Sequence, residues 1–314
     1  MSGKVSIIGA AGTLGSCAAY AVATQGLCDE LVLFDTNENL LKCHVLDLET
    51  AVTSVQNVKV KAGSDEDLSG SRIVIVAAGA PWRFITSRME LLKDNLPIIE
   101  EITQKIKKYC PQAVVITATN PVDPMNYGMA MLSGLNQNRF IGYSYNDSFR
   151  FRMMAARLLK IDSTSVEGFT IGEHGPHQVM LFSTLRVNGK PVDLSEKDKQ
   201  RIRDGVPKAL QAYESLGTGR TTGWTSAVGL SDIVSAIAND SGRVLPASVV
   251  LEGEYGYSGL SASVPVKLGK DGVQEIIELQ LTPEEKKGVR DSLAYLKLAC
   301  QSMEDLLRPS KEQN

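Results

Sequence analysis

The stretch KVSIIGAAGTLGSCAAYAVATQG, Lys4 to Gly26, decides the fold. An apolar run of strand length leads into three glycines, Gly9, Gly12 and Gly15, and these open an alanine-rich helical pattern. Glycines at a strand-to-helix turn permit a tight bend and let a pyrophosphate approach the positive end of the helix. Twenty residues past Gly15, the run LVLFDTNE ends a second strand in Asp35. A carboxylate there accepts hydrogen bonds from an adenosine ribose and repels a 2′-phosphate, so the pair points to NAD over NADP. The stretch after Asp35 holds Thr36 and Asn37 and no arginine to neutralise such a phosphate.

Working outward, RIVIVAAG and AVVITATNP continue the alternation of short, fully apolar runs with helical patterns. Apolar strands separated by helices imply a parallel sheet covered on both faces, a doubly wound α/β domain over residues 1–145. From 146 to 314 the pattern changes to α+β. A helix is expected from Ser148 to Lys160, then the strand-like VEGFTIGEHG and QVMLFSTLRVNGKPVD with its Asn188-Gly189 turn. SASVPVKLG and VQEIIELQL flank the Asp271-Gly272 turn. Thr282-Pro283-Glu284-Glu285 then announces a last helix with a cap, a proline at its first position and a glutamate three residues after the cap. No repeat interrupts the pattern, and the terminal RPSKEQN reads as disordered.

Composition narrows the function. The 314 residues are 43% hydrophobic and 22% charged, with a net charge of −3 and a pI near 5.8. Lysine and arginine are scattered, which excludes a nucleic-acid or anionic-membrane footprint and leaves small molecules as partners. No apolar run reaches membrane-spanning length, and Lys4 enters a strand directly, without a leader pattern. Cys17, Cys28, Cys43, Cys110 and Cys300 form no CxxC pair and read as reduced core thiols, consistent with a cytoplasmic location.

Two later segments carry chemistry. NDSFRFR, Asn146 to Arg152, puts Asp147 and Arg150 three apart at a helix start, hence on one face. An N-cap with a solvated arginine is the competing reading. In VEGFTIGEHGPH, an apolar strand ends in the glycine-flanked His174, an imidazole presented at a strand end. Such a histidine exchanges a proton with a substrate oxygen if a carboxylate fixes its tautomer and raises its pKa, and Asp147 is the candidate. His174 and His177 could instead begin a zinc site, but no third ligand stands nearby, so no metal is expected. His44, in LKCHVLDLE, packs or faces solvent. Short-chain reductases also carry GxxGxxG, but they need Tyr-x-x-x-Lys, and none of the nine tyrosines has a lysine four residues on.

GAAGTLG, FDTNE, AAGAP with Arg88 after it, TNPVD, NDSFRFR, IGEHG and GLSASVPVKLGKDGVQEIIELQLTPEE follow one another in the order and spacing of one family. Along essentially its whole length the chain resembles the lactate and malate dehydrogenases. The resemblance implies that Gly9, Gly12 and Gly15 cradle the pyrophosphate, Asp35 holds the ribose, and Asn120 lies beside the nicotinamide. It implies that His174 is the acid and base, Asp147 its orienting partner, and Arg150 the bidentate clamp on the substrate carboxylate. Arg88 would sit on a loop that closes over the substrate and polarise its carbonyl. Thr221 falls where the family lines the pocket; a register shift of a few residues would bring Trp224 there instead. The family usually has aspartate after GEHG, and this chain has Pro176, which bears on how the histidine loop is braced. A homodimer is the implied minimum and a homotetramer the alternative, with no N-terminal arm to swap.

Six residues before Arg88, at the family position that meets the substrate side chain, stands Trp82. Malate dehydrogenases place a second arginine there, and lactate dehydrogenases usually glutamine. An indole cannot neutralise a distal carboxylate, whose unpaired burial costs several kcal/mol, whereas covering an apolar group gains roughly 25 cal/mol per Å². The expectation is an NAD-dependent 2-hydroxy acid dehydrogenase favouring apolar side chains, lactate-like or larger. The alternatives are a malate dehydrogenase that uses Arg83 for the distal carboxylate, and a catalytically silent NAD-binding protein. The silent reading is disfavoured because His174, Asp147, Arg150 and Arg88 are all present.

Overall fold

A computed structural model describes residues 3–80 and 88–307 of the chain. Its first half alternates strands and helices: β1 (Lys4–Ile8), α1 (Thr13–Thr24), β2 (Glu30–Phe34), α2 (Glu38–Thr53), β3 (Lys59–Ala62), β4 (Ser71–Val76), α3 (Arg88–Tyr109), β5 (Val114–Thr117), α4 (Val122–Ser133) and β6 (Phe140–Gly142). The strands pair parallel in the order β3-β2-β1-β4-β5-β6. This is the doubly wound sheet that the apolar runs imply. In β4, Ile73, Val74, Ile75 and Val76 are all buried, because helices cover both faces. Each such side chain contributes roughly 1.5–3 kcal/mol of burial.

The second half contains α5 (Asn146–Leu159), β7 (Val166–Gly172), β8 (Gln178–Val187), β9 (Lys190–Pro191), α6 (Glu196–Glu214), α7 (Gly223–Ala238), β10 (Val244–Glu252), β11 (Ser258–Gly269), β12 (Gly272–Ile276) and α8 (Pro283–Leu307). Its strands pair antiparallel, and β10 also pairs with β6 through Ser248 and Gly142, so one hydrogen-bonded sheet runs through both halves. A smaller apolar core of Phe151, Ala155, Val166, Phe182, Leu185 and Ile202 belongs to this half alone. The Asn188-Gly189 turn has positive φ at both residues and joins β8 to β9, as expected. The capping box is also realised: Glu285 N–H donates to Thr282 Oγ1 at 3.2 Å, and Thr282 N–H to Glu285 Oε2 at 3.0 Å.

Three expectations need correction, and one strand stands where none was expected. The helix expected from Ser148 begins at Asn146, because Tyr145 is already helical and acts as its cap. VQEIIELQL is not one strand: β12 stops at Ile276, and the Ile277 N–H turns to the Pro265 carbonyl. Cys43 is exposed on the outer face of α2, although Cys28, Cys110 and Cys300 are buried. Strand β10 carries Pro246 in its interior, a residue that suggests an edge strand, yet β10 is central. The terminal segment RPSKEQN lies outside the described residues.

Candidate active site

The glycine loop runs from the end of β1 to the start of α1. Gly9 has φ +87, and a Cβ there would lie 2.5 Å from the Ala78 nitrogen, so the loop after β4 excludes any side chain. A Cβ on Gly15 would lie 2.1 Å from the Gly9 carbonyl oxygen. Gly12 differs: its nearest neighbour would be 3.4 Å away, so the protein itself leaves room there. Among the described residues no side chain caps α1 and no acidic residue occupies its first turn, so its positive end can accept an anion.

Asp35 is tied into this loop. Its Oδ2 accepts from the Ala11 N–H and its Oδ1 from the Asn37 N–H, each at 2.9 Å. The acid at the end of β2 and the glycine turn after β1 therefore form one rigid edge, with the carboxylate partly exposed. The loops after β4 and β5 are joined similarly. Asn95 Oδ1 accepts from Ala80 N–H and its Nδ2 donates to the Asn120 carbonyl, both at 2.7 Å, while the Thr119 hydroxyl donates to the Ala78 carbonyl at 2.6 Å. Asn120, exposed and preceding a cis proline, stands at the mouth so formed. These features fit a dinucleotide with its pyrophosphate at Gly12 and its ribose at Asp35.

The proton-transfer candidates meet where the two halves join. Asp147, in the first turn of α5, is 3% exposed. Helix α5 docks on β7 through the Thr170 N–H, which donates to the Ser148 hydroxyl at 3.0 Å. Gly172, with φ +88, ends β7; a Cβ there would lie 2.4 Å from the Ser292 hydroxyl of α8. That turn sends Glu173 toward α8 and His174 toward α5. His174 Nδ1–H donates to Asp147 Oδ2 at 2.6 Å, and Arg150 Nη1 donates to Asp147 Oδ1 at 3.0 Å. Burial by itself would push the imidazole down. The charge and hydrogen bond of Asp147, with the charge of Asp123, outweigh burial and hold His174 above its ordinary value, against the opposing Arg150.

Other expected residues stand differently. His177 does not join His174: its Nδ1 and backbone N–H both donate to Glu173 Oε2 at 2.7 Å, and its ring stacks on Tyr295 at 4.1 Å between centroids. Among the described residues, no group of three or more metal-binding side chains assembles. The Thr221 side chain is exposed and its carbonyl accepts from Tyr213. Thr222 and Ser226 are instead the hydroxyls bonded to Asn146 Nδ2, at 3.4 and 2.9 Å. Trp224 is 73% exposed, with the Arg220 guanidinium 4.1 Å above its ring. Arg88 is the first residue of α3; its side chain, and all of Trp82 and Arg83, lie outside what is described.

Sequence reasoning missed Asp123 as a site residue, although it stands as the one carboxylate of α4, in its first turn. It is buried, and its Oδ2 accepts the His174 N–H at 2.8 Å. Asn95 and Asn146, which hold the loops around the site, likewise give no local signal.

Known proteins resemble this chain in both halves. Residues 3–142 match the lactate/malate dehydrogenase NAD binding domain, and residues 146–306 match the lactate/malate dehydrogenase alpha/beta C-terminal domain. The chain is 35% identical to a malate dehydrogenase of Natronomonas pharaonis, over 93% of this chain and 97% of the relative. It is equally 35% identical to an L-lactate dehydrogenase of Halalkalibacterium halodurans, over 94% of this chain and 95% of the relative. Among solved structures, the lactate dehydrogenase of Cryptosporidium parvum complexed with lactic acid and nicotinamide adenine dinucleotide superposes with a TM-score of 0.91. That protein is 30% identical, with 98% of this chain and 99% of the other covered.

Proposed function

Because the chain belongs to the lactate/malate dehydrogenase family and is an NAD-dependent 2-hydroxy acid dehydrogenase, we propose that His174 moves the proton of the reaction and that the substrate has an apolar side chain. The observation that carries the first part is the joined cluster of His174, Asp147 and Arg150. NAD supplies the hydride acceptor in oxidation and, when reduced, the donor. With Nδ1–H committed to Asp147, the proton passes through His174 Nε2 to the substrate carbonyl oxygen as that oxygen gains charge, and returns there in the reverse direction. Two anions near the imidazole favour its charged form, which suits it to oxo acid reduction.

Arg150 binds the substrate carboxylate through its guanidinium fork, and its contact with Asp147 ties the clamp to the acid. Arg88 polarises the carbonyl, and Asn120 orients carbonyl and nicotinamide. Gly9, Gly12, Gly15 and Asp35 hold the dinucleotide, and Thr221 or Trp224 contributes to the pocket wall. Residues 1–145 act as the cofactor domain and 146–314 as the substrate domain. The exposed Tyr20, Leu46, Trp224 and Val228, on α1, α2 and α7, support a homodimer or homotetramer assembled through these helices. The location proposed is cytoplasmic; none of the described helices is long and apolar enough to cross a membrane.

Trp82 sets the side-chain preference in this reading, because an indole offers a dicarboxylate no counter-charge. A second reading, malate dehydrogenase with Arg83 as the distal-carboxylate ligand, is favoured by the malate dehydrogenases among the relatives. Comparing kcat/KM for oxaloacetate, pyruvate, 2-oxoisocaproate and phenylpyruvate decides between them. Preference for the apolar acids, weakened by Trp82→Ala, is expected. Preference for oxaloacetate, abolished by Arg83→Ala and untouched by Trp82→Ala, would establish the second reading. His174→Asn should lower turnover by several orders of magnitude while NADH still binds.

A further inference from the structure

One buried acid enters the mechanism above only as a nearby charge. Asp123 lies in the first turn of α4 and is 2% exposed. Its Oδ2 accepts the His174 backbone N–H at 2.8 Å. Its Oδ1 makes no hydrogen bond of good geometry among the described residues; the Ser248 hydroxyl beside it is paired with Ser261 at 2.9 Å. A carboxylate held by so few partners is a costly occupant of a core position, where an apolar residue would pack without penalty. Among the described residues its one direct hydrogen bond is to the main chain of the histidine that transfers the proton, and the charge of that imidazole acts on it through space.

We propose that Asp123 is a second positioning carboxylate for His174: it anchors the main chain from which the imidazole projects and, with Asp147, sets the imidazolium between anions from two different helices. The inference rests on the reading of His174 as proton donor. Asp147 reaches the ring from α5 and Asp123 reaches the backbone from α4, so the residue is held at both its side chain and its main chain. Among the described residues, several charged and polar groups face the pair. Arg150 of α5 opposes charge on His174 and is itself paired with Asp147. Glu173 faces Asp123 from the turn after β7 and is occupied by His177. Ser248 of β10 and the thiol of Cys300 in α8 complete the surroundings. Burial pushes the Asp123 carboxyl up to about 6, with the Ser248 hydroxyl and the charge of His174 opposing. Each group acts on the charge of the other, His174 lowering the Asp123 carboxyl and Asp123 raising the imidazole.

Asp123→Asn and Asp123→Ala separate anchoring from charge. The amide oxygen of asparagine still accepts the His174 N–H, while alanine removes both functions. The measurement is kcat/KM against pH at saturating cofactor, in both directions, for wild type, both variants and His174→Asn. In Asp123→Asn, the acid plateau of reduction should stay within about threefold of wild type, and the limb that reports His174 should move down by at least about half a pH unit in both directions. Asp123→Ala should lose at least about tenfold in kcat with the KM for NADH unchanged, because the loop that carries the imidazole is released. A merely structural Asp123 leaves the limb where it is. A limb of Asp123→Asn that superimposes on wild type, with His174→Asn inactive, would overturn this inference alone. Retained turnover in His174→Asn would overturn the reading beneath it as well.

Discussion

Replacing Asp147 by asparagine tests the proton-transfer cluster most directly. The contact to His174 Nδ1 is 2.6 Å long and Asp147 is 3% exposed, so water cannot replace the lost charge. An opposite charge at this range moves a pKa by about 1–3 units, so the imidazole should fall by about 2 units in the variant. Where the pH exceeds the wild-type pKa each unit removes about tenfold of the protonated form, so the loss in kcat/KM for oxo acid reduction approaches about 10²-fold, or about 2.7 kcal/mol, on the alkaline side of the profile. The sign with pH follows from the raised value of wild-type His174. Wild-type reduction persists as pH rises past 6.5 and fails only above the raised pKa, whereas the variant fails at lower pH than the wild type. Hydroxy acid oxidation needs the neutral imidazole, so its limb moves to lower pH and its loss near neutrality is smaller. The same raised pKa contributes folding stability that is fully present below 6.5 and lost as pH rises through the native value. The assay is NADH absorbance under saturating cofactor from about pH 5 to about pH 9. A loss below threefold near pH 7.5, or one that acid does not recover, would refute the reasoning.

Two further predictions concern the cofactor edge. Gly15→Ala drives a Cβ to 2.1 Å from the Gly9 carbonyl and should destabilise the fold, visible as a lower Tm. Gly12→Ala meets nothing closer than 3.4 Å, so Tm should stay within about 2 °C while the Kd for NADH rises at least about tenfold, because the methyl occupies the approach of the pyrophosphate. Unchanged NADH affinity in Gly12→Ala would place the phosphates elsewhere. Asp35→Ser should reduce the preference for NADH over NADPH by at least about tenfold, since it removes both the ribose acceptor and the charge that repels a 2′-phosphate. Equal selectivity before and after would separate Asp35 from cofactor choice.

The parts legible in advance were those written in local pattern. Helices covering both faces of a parallel sheet require fully apolar strands, so the first half could be read from its apolar runs. The i, i+3 spacing that puts Asp147 beside Arg150 is a property of any helix. The glycine turn and the capping box before α8 are likewise settled within a few residues, because backbone geometry and terminal N–H groups impose them. Strand β10 escaped notice because Pro246 and its small neighbours look unlike a central strand. It is one because β6 and β11 lie on either side of it.

The chain by itself determined the doubly wound half, the cofactor edge and the identity of the candidate acid, base and clamp. Only the tertiary structure decided that His174 meets Asp147 across 27 residues and Asp123 across 51, that His177 turns to Glu173, and that one sheet joins the two halves. Sequence pattern records which residues are buried and how the backbone bends nearby. Which buried polar group faces which is settled by how α4, α5, α8 and the end of β7 pack together, since a carboxylate removed from water must find its partner wherever packing brings a donor.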